Sequence, residues 1–514
     1  RRKCKTQFSY ALYCFPIKFP TKKQRTQNYY IVCLRGFRNI IISYAILTLF
    51  LIPMKITGLI AISLLLLLNS CRKDSFITSP DARVSISADT LKYDTVFVTT
   101  GSTYRSFTIF NDNDQKLRIS SLKLLGGSTS VYKMNVDGTP GDQFSNIEIN
   151  ANDSLYVFAQ VNVNPNAANL PFILRDSIEI NYNGKRRLVQ LEAWGQNAHF
   201  FRDKVIATNE TWNNDLPYVI LGSLLVNPNQ TLTINKGCRI YVHADAPIVV
   251  DGSLVVNGLK DTIDRVYFQG DRLDEPYKDF PASWPGLFFR STSKDNVLTY
   301  ASIKNAFQGI GIFDPSPNVN PKLILNECVI DNAYDAGIIS INSSIRARNT
   351  QVSNCGKNLF LVKGGDYQFT HCTVVTIGNR YIDHKDPVLT LTNFDNTSTA
   401  SLTALFRNCI FWGENGLVDN EVIVSKNGAG IFNVNFDYNL WKVQSTPANI
   451  TSNQIINNQV PMFDSTDGSK NYYSFRLKAG SPAINKGTNA GVLTDLDGKP
   501  RPVGLPDLGC FERQ

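Results

Sequence analysis

The chain is short of what several function classes require. Its ten cysteines include no Cys-x-x-Cys pair, and its four histidines sit at no zinc-ligand spacing. Long stretches with apolar residues at 3.6-residue spacing are missing, which excludes a helical bundle. Residues 1–70 contain no Asp or Glu against 11 Lys or Arg, whereas residues 71–514 carry 41 basic and 43 acidic residues. The formal charge of +9 therefore belongs to the leader. The remainder is close to neutral, and nothing points to nucleic acid as a partner.

What is present first is a leader. Met54-Lys55 opens a short positive start, and Ile56 to Leu68 is a largely apolar run of 13 residues. That run is too short to span a bilayer and fits a signal-peptide core, assigning 54–70 to a signal. Leu68-Asn69-Ser70-Cys71 resembles a bacterial lipobox, which implies lipid on Cys71, cleavage before it, and a membrane partner reached through that lipid. Residues 1–53 are expected to be upstream sequence translated from a start placed too early, because targeting segments begin near the true N-terminus. The alternative is a membrane hairpin made of the two apolar runs, Ile40–Pro53 and Ile56–Leu68.

Beyond a polar tether (71–80), Val, Ile, Thr, Tyr and Phe are punctuated every few residues by Asn, Asp and Gly, an all-β pattern. Strand-like segments recur across about 81–200, and Leu155 to Val163 alternates apolar and polar side chains. Asn183-Gly184 predicts a tight hairpin. Six or seven strands in about 120 residues suit an immunoglobulin-like sandwich, although no Cys…Trp…Cys pattern is present. The segment is similar to the Ig-like modules that precede β-helices in Bacteroidetes envelope proteins, which implies a spacer role.

Internal repetition marks 218–445. Leu298-Thr299-Tyr300-Ala301, Leu325-Asn326-Glu327-Cys328, Ala347-Arg348-Asn349-Thr350, Phe369-Thr370-His371-Cys372 and Phe406-Arg407-Asn408-Cys409 fit one frame. A second echo follows in Asn305-Ala306…Gly309-Ile310 and Asn332-Ala333…Gly337-Ile338. A repeat of about 22 residues built of short strands is one coil of a parallel β-helix, and longer intervals are insertions at turns. Ala301, Cys328, Thr350, Cys372 and Cys409 form one interior column. Coils stack about 4.8 Å apart, so Cys328 and Cys372 lie about 9.6 Å apart, beyond disulfide reach. Together with Leu224–Gly237, Ile248–Gly258 and Trp284–Phe289, the order resembles the opening coils of pectate-lyase-like proteins. That implies a right-handed parallel β-helix.

Residues 446–514 end in Phe475-Arg476-Leu477-Lys478-Ala479-Gly480-Ser481-Pro482, Asp495-Leu496-Asp497-Gly498 and Leu508-Gly509-Cys510-Phe511-Glu512. These resemble the choice-of-anchor Q ending of surface β-helix proteins, and the expected role is to cap the open end of the solenoid. Asp495-x-Asp497-Gly498 lacks the ligands of a calcium loop and reads as a turn. No metal or other cofactor is expected.

Pectate-lyase-like enzymes place carboxylates on one face across adjacent coils, but this chain has neither a Gly-His-Gly signature nor an Arg-containing lyase motif. The best catalytic candidates are Asp383, His384, Lys385 and Asp386, in an insertion between coils, where a solvated charged loop is the competing reading. His199 and His243 have no evident partners. Trp212, Trp284, Trp412 and Trp441 are candidate sugar-stacking residues, with core packing as the competing reading. The expectation is a lipid-anchored envelope protein whose solenoid presents a surface for glycan binding, adhesion or assembly. The alternative is a polysaccharide lyase or glycoside hydrolase.

Overall fold

The computed structural model describes residues 75–97, 104–162, 172–274, 277–396, 398–468, 472–502 and 505–514. Cys71, the signal stretch and residues 1–53 lie outside the described residues. No α-helix occurs within them, and the architecture is all-β.

Ten strands between Val84 and Gln196 form two five-stranded sheets. One runs, in spatial order, Val84–Ile86, Arg105–Asn111, Ser154–Val161, Tyr132–Val136 and Thr139–Pro140. The other runs Thr90–Phe97, Lys185–Gln196, Phe172–Tyr182, Leu117–Leu124 and Gln143–Ile149. Strand alternation decides what is buried: Leu155, Val157, Ala159 and Val161 point inward while Tyr156 points to solvent. The inner faces share one core that includes Phe107, Ile119, Ile180 and Leu191. Tyr93 and Tyr132 enter it only because their hydroxyls donate to the Ala159 carbonyl at 2.6 Å and the Leu174 carbonyl at 3.0 Å. Asn183 and Gly184 both adopt left-handed φ, 45° and 75°, and close the tight hairpin read from the sequence.

A 26-stranded parallel stack follows, beginning at His199–Ile206 and reaching Ile456–Asn457, wider at both ends than 218–445. The joining strand serves both regions. Phe200 packs on the sandwich core and Phe201, on its opposite side, packs on the solenoid core. Each coil contributes three strands, each pairing in parallel with its counterparts one coil away, as a β-helix requires. Ser302, Val329, Gln351, Thr373 and Ile410 are consecutive register partners. The residues just before them are Ala301, Cys328, Thr350, Cys372 and Cys409, so the interior column is the one the repeats indicate. All six cysteines from Cys238 to Cys510 are buried and unpaired. Burial pushes the Cys328 thiol up to about 12, consistent with a packing role.

The sharp turn before this column is left-handed in six successive coils, at Tyr300, Glu327, Asn349, His371, Asn408 and Tyr438. A second left-handed column, Asn305, Asn332 and Asn354, turns the chain from the third strand of one coil into the first strand of the next. Asn332 Nδ2 donates to Asn305 Oδ1 at 2.8 Å, a rung of an amide ladder.

The C-terminal module corrects one expectation. It lies along the face made by the third strands, not over the end of the stack. Val375, Ile377, Ile410, Trp412 and Leu440 form one buried cluster with Phe463, Phe475, Leu477, Leu508 and Phe511. The physical reason is visible in Thr373–Ile377, whose side chains are buried on both sides. A strand apolar on both faces needs cover outside as well as inside. The stack ends in two short strands, the exposed polar Thr451–Asn453 and Ile456–Asn457, whose Ile456 is half-buried against the C-terminal cluster. Arg501 locks the module internally and to the solenoid. Its guanidinium is buried, donating to Glu512 at 2.7 Å, the Gly509 carbonyl at 3.0 Å and Asn349 Oδ1 at 3.0 Å. Asp495 is a turn lock, its carboxylate accepting the backbone amides of Asp497, Lys499 and Glu512 at 2.8–2.9 Å.

Candidate functional site

Two insertions hang on the asparagine turn column. The first, 271–283, is held from below. Asn305 Nδ2 donates to the Lys278 carbonyl at 2.7 Å and Asn332 Nδ2 to the Asp279 carbonyl at 3.0 Å. The second, 378–388, turns on Asn379, whose side-chain oxygen accepts the amides of Tyr381 and Ile382, both at 2.8 Å. The insertions meet where the Phe280 and Tyr381 rings lie 5.1 Å apart.

The four sequence candidates fall on opposite sides of the second insertion. His384 points inward and is 3% exposed. Its ring nitrogens face the Glu421 carboxylate and the Glu414 carbonyl, each at 3.1 Å. Glu421 also accepts the Val388 amide at 3.3 Å, with the Lys442 ammonium 3.8 Å away. Gly413 and Gly416 leave this space open, because a Cβ at either would run into the His384 ring. His384 is thus an anchor of the loop rather than a surface base. Asp383 and Lys385 point out and pair at 2.6 Å in full view of solvent, and Asp383 holds the Lys385 ammonium above its usual range.

Asp383, Lys385 and Asp386 line an open cleft of about 280 Å³ together with Phe307, Tyr334, Lys357 and Tyr381. Phe307 and Tyr334 each stand two residues past an asparagine of the turn column, and are 44% and 53% exposed. Their rings stack 5.9 Å apart at 28°. Asp335, beside them, is fixed by Gln308 Nε2 at 2.7 Å and Lys357 Nζ at 3.2 Å. The floor comes close because Gly356 has no side chain: a Cβ there would meet the Tyr334 carbonyl. The cleft therefore offers a stacked aromatic pair beside carboxylates and ammonium groups.

The tryptophans do not take part. Trp212, Trp284, Trp412 and Trp441 are all 5% exposed or less and pack in cores. The aromatic pair that is exposed was signalled by the repeat itself, since Asn-Ala is followed by an aromatic residue both times. Sequence reasoning also left His199 and His243 without partners. The structure supplies Asp215 at 2.9 Å and Asp271 at 2.6 Å, contacts between neighbouring strands or loops that no local spacing reveals. His371 is buried, with Asn408 Nδ2 at 2.9 Å from its Nε2. Among the described residues no three His, Cys, Asp or Glu side chains are grouped as metal ligands, and no register pair along the solenoid joins two carboxylates.

No protein-family model matches the chain, and no curated protein matches it. Among solved structures it is similar over 24% of its length to a family 123 glycoside hydrolase from Clostridium perfringens, studied for glycolipid glycan hydrolysis, at 12% identity and a TM-score of 0.17. It covers 30% of that hydrolase chain, less than a third of its length. It is similar over 24% of its length to a PapD-like domain of human CEP192, covering 89% of that chain at 11% identity and a TM-score of 0.16. It also covers 98% of WR4, a C. elegans MSP family member, with 22% of its own length, 12% identity and a TM-score of 0.15. No helix among the described residues is long and apolar enough to cross a membrane.

Proposed function

We propose that the protein is a lipid-anchored component of a bacterial cell envelope that binds glycan chains at the cleft beside its second insertion, 378–388. In this reading Cys71 carries the lipid and holds the chain on the outer membrane, facing the periplasm or the exterior. The Ig-like sandwich is a spacer, and the right-handed β-helix with its choice-of-anchor Q-like module presents the cleft. The observation that carries the binding step is the exposed Phe307–Tyr334 stack beside Asp335, Asp383 and Lys357. A pyranose ring has an apolar C–H face that stacks on aromatic rings and hydroxyls that bond to carboxylates and ammonium groups. Both kinds of contact are within one cleft here.

A glycan array with the full chain tests this. Tyr334→Ala is expected to weaken binding about tenfold or more, the loss of roughly 1.4 kcal/mol, with the melting temperature unchanged because the side chain is exposed. Undiminished binding would overturn the cleft assignment. Cys71→Ala is expected to move the protein from the membrane to the soluble fraction.

A polysaccharide lyase or hydrolase is the second reading, favoured by one observation: Asp335, Asp383 and Asp386 line the same cleft. Release of unsaturated or reducing ends that Asp383→Asn or Asp386→Asn abolishes would make it the better one.

A further inference from the structure

We infer that a second cleft on the same turn column takes one or two neutral sugar units. It is about 280 Å³ and is built from the asparagine side of the turns, through Asn305, Asn332 and Asn354. Its other walls come from four separate places, one of them Asn379 of the second insertion. Lys304 and Asp331 project from the third-strand face, Lys278 and Asp279 belong to the first insertion, and Tyr473 comes from the C-terminal hairpin. The C-terminal module is therefore part of the cleft and not only a cover for the flank.

Three features define the ligand. The Tyr473 side chain lines the cleft, and its phenol oxygen is buried with no hydrogen-bond partner among the described residues, a cost that a bound hydroxyl would relieve once the ring turns toward the cleft. The charges balance: two lysines and two aspartates line the cleft, and Asp331 accepts from Ser353 Oγ at 2.7 Å on one oxygen while Lys304 stays 3.7 Å from the other, too far for a full hydrogen bond. An ionic ligand would meet no net opposite charge, whereas an uncharged polyhydroxylated one finds donors and acceptors together. The size is at the lower limit of ligand pockets, about 300 Å³, which suits one or two sugar rings and no more. The wall from the first insertion is set before binding, because the Asn305 and Asn332 amides already hold the Lys278 and Asp279 carbonyls.

The inference takes its ligand class from the glycan-binding reading above, so the test separates the two. Full-length protein with Tyr334→Ala, which disables the first cleft, is titrated with cellobiose, maltose and chitobiose, and with digalacturonate as the charged control. At least one neutral disaccharide is expected to bind, and adding Tyr473→Phe or Lys304→Met should weaken it about tenfold or more. Tyr473→Phe should leave the melting temperature unchanged or raised, since it removes a buried hydroxyl without a partner. If Tyr334→Ala alone abolishes all binding, the second cleft is refuted and the glycan-binding reading stands. If only digalacturonate binds, the neutral class is wrong. A fall in melting temperature with Tyr473→Phe would assign the hydroxyl a structural partner and overturn the inference. Absence of binding by the unsubstituted chain overturns both.

Discussion

The sandwich and the solenoid are both β structure, yet they fix strand register by different means. In the sandwich most neighbouring strands are antiparallel, and charges oppose one another across them, as Arg118 opposes Glu148 and Arg175 opposes Glu192. Its register follows from hairpins and from a single core closed between two sheets. In the solenoid every strand pairs with one a coil away, and register follows from repeated left-handed turns and from interior columns of like residues. The difference explains where a ligand site can be built. A sandwich loop is tied to two strands of one core, whereas a solenoid turn can carry an insertion while the column beneath it stays intact. Both insertions that shape the clefts, 271–283 and 378–388, use that freedom.

The sharpest way to break the comparison is to remove one large core residue from each region. Phe406 stacks between Phe369 at 5.5 Å and Phe436 at 4.8 Å, one ring per coil. Phe406→Ala should cost about 3–5 kcal/mol. Its effect should stay near those coils, because a solenoid is stabilised by nearest-neighbour contacts. Phe107→Ala in the sandwich should cost a similar amount but open all ten strands together. Hydrogen exchange read by mass spectrometry distinguishes them. Uniform loss of protection along the solenoid in the Phe406 variant would show that the stack behaves as one cooperative core.

The same contrast accounts for what the sequence made legible. Repetition exposes register, so the column from Ala301 to Cys409 and the asparagine turns could be placed from residues alone. The hairpin at Asn183-Gly184 was equally plain, because its dihedral requirement is local. What repetition does not encode was missed. Asp383 to Asp386 is one run of charge, yet alternate side chains of a short loop face opposite ways, and only the partner Glu421, a coil away in space, turns His384 inward. The docking of the C-terminal module was written faintly in the two-sided apolar strand Thr373–Ile377. The start of the stack at His199 was hidden because Phe200 and Phe201 serve two cores from one strand.

A second test uses charge burial, which the solenoid tolerates at its turns. Lys322 is fully buried. Its ammonium donates to the carbonyls of Phe313 at 2.6 Å and of Arg290 and Ser291, each at 3.1 Å. Burial pushes it down to about 8 from an ordinary 10.5. Between those values the unfolded chain binds the proton and the folded chain does not, so stability should rise with pH across that window. Below pH 8 the penalty is present in full. Two and a half pH units correspond to about 3 kcal/mol. Urea unfolding from pH 7.5 to 10.5 should show this rise in the native chain relative to Lys322→Met, and a flat difference would mean that the three carbonyls fully offset burial.

The smallest expected effect belongs to the sandwich surface. Arg175 is two-thirds exposed and meets Glu192 at 2.9 Å. An exposed pair gains little because water screens it and two long side chains lose freedom, so Arg175→Ala should cost less than about 1 kcal/mol. At 1 M salt the screening length falls to about 3 Å, and the cost should vanish. Arg348 in the solenoid looks similar, bonding Glu327 at 3.0 Å, but that carboxylate is 6% exposed and also accepts from Asn349 at 3.1 Å. Arg348→Ala leaves a buried carboxylate short of a charged partner and should keep a cost of about 1–3 kcal/mol at any salt. Paired denaturation curves at low and high salt measure both. Equal salt sensitivity would mean that the turn column shelters its charges no better than an open sheet does.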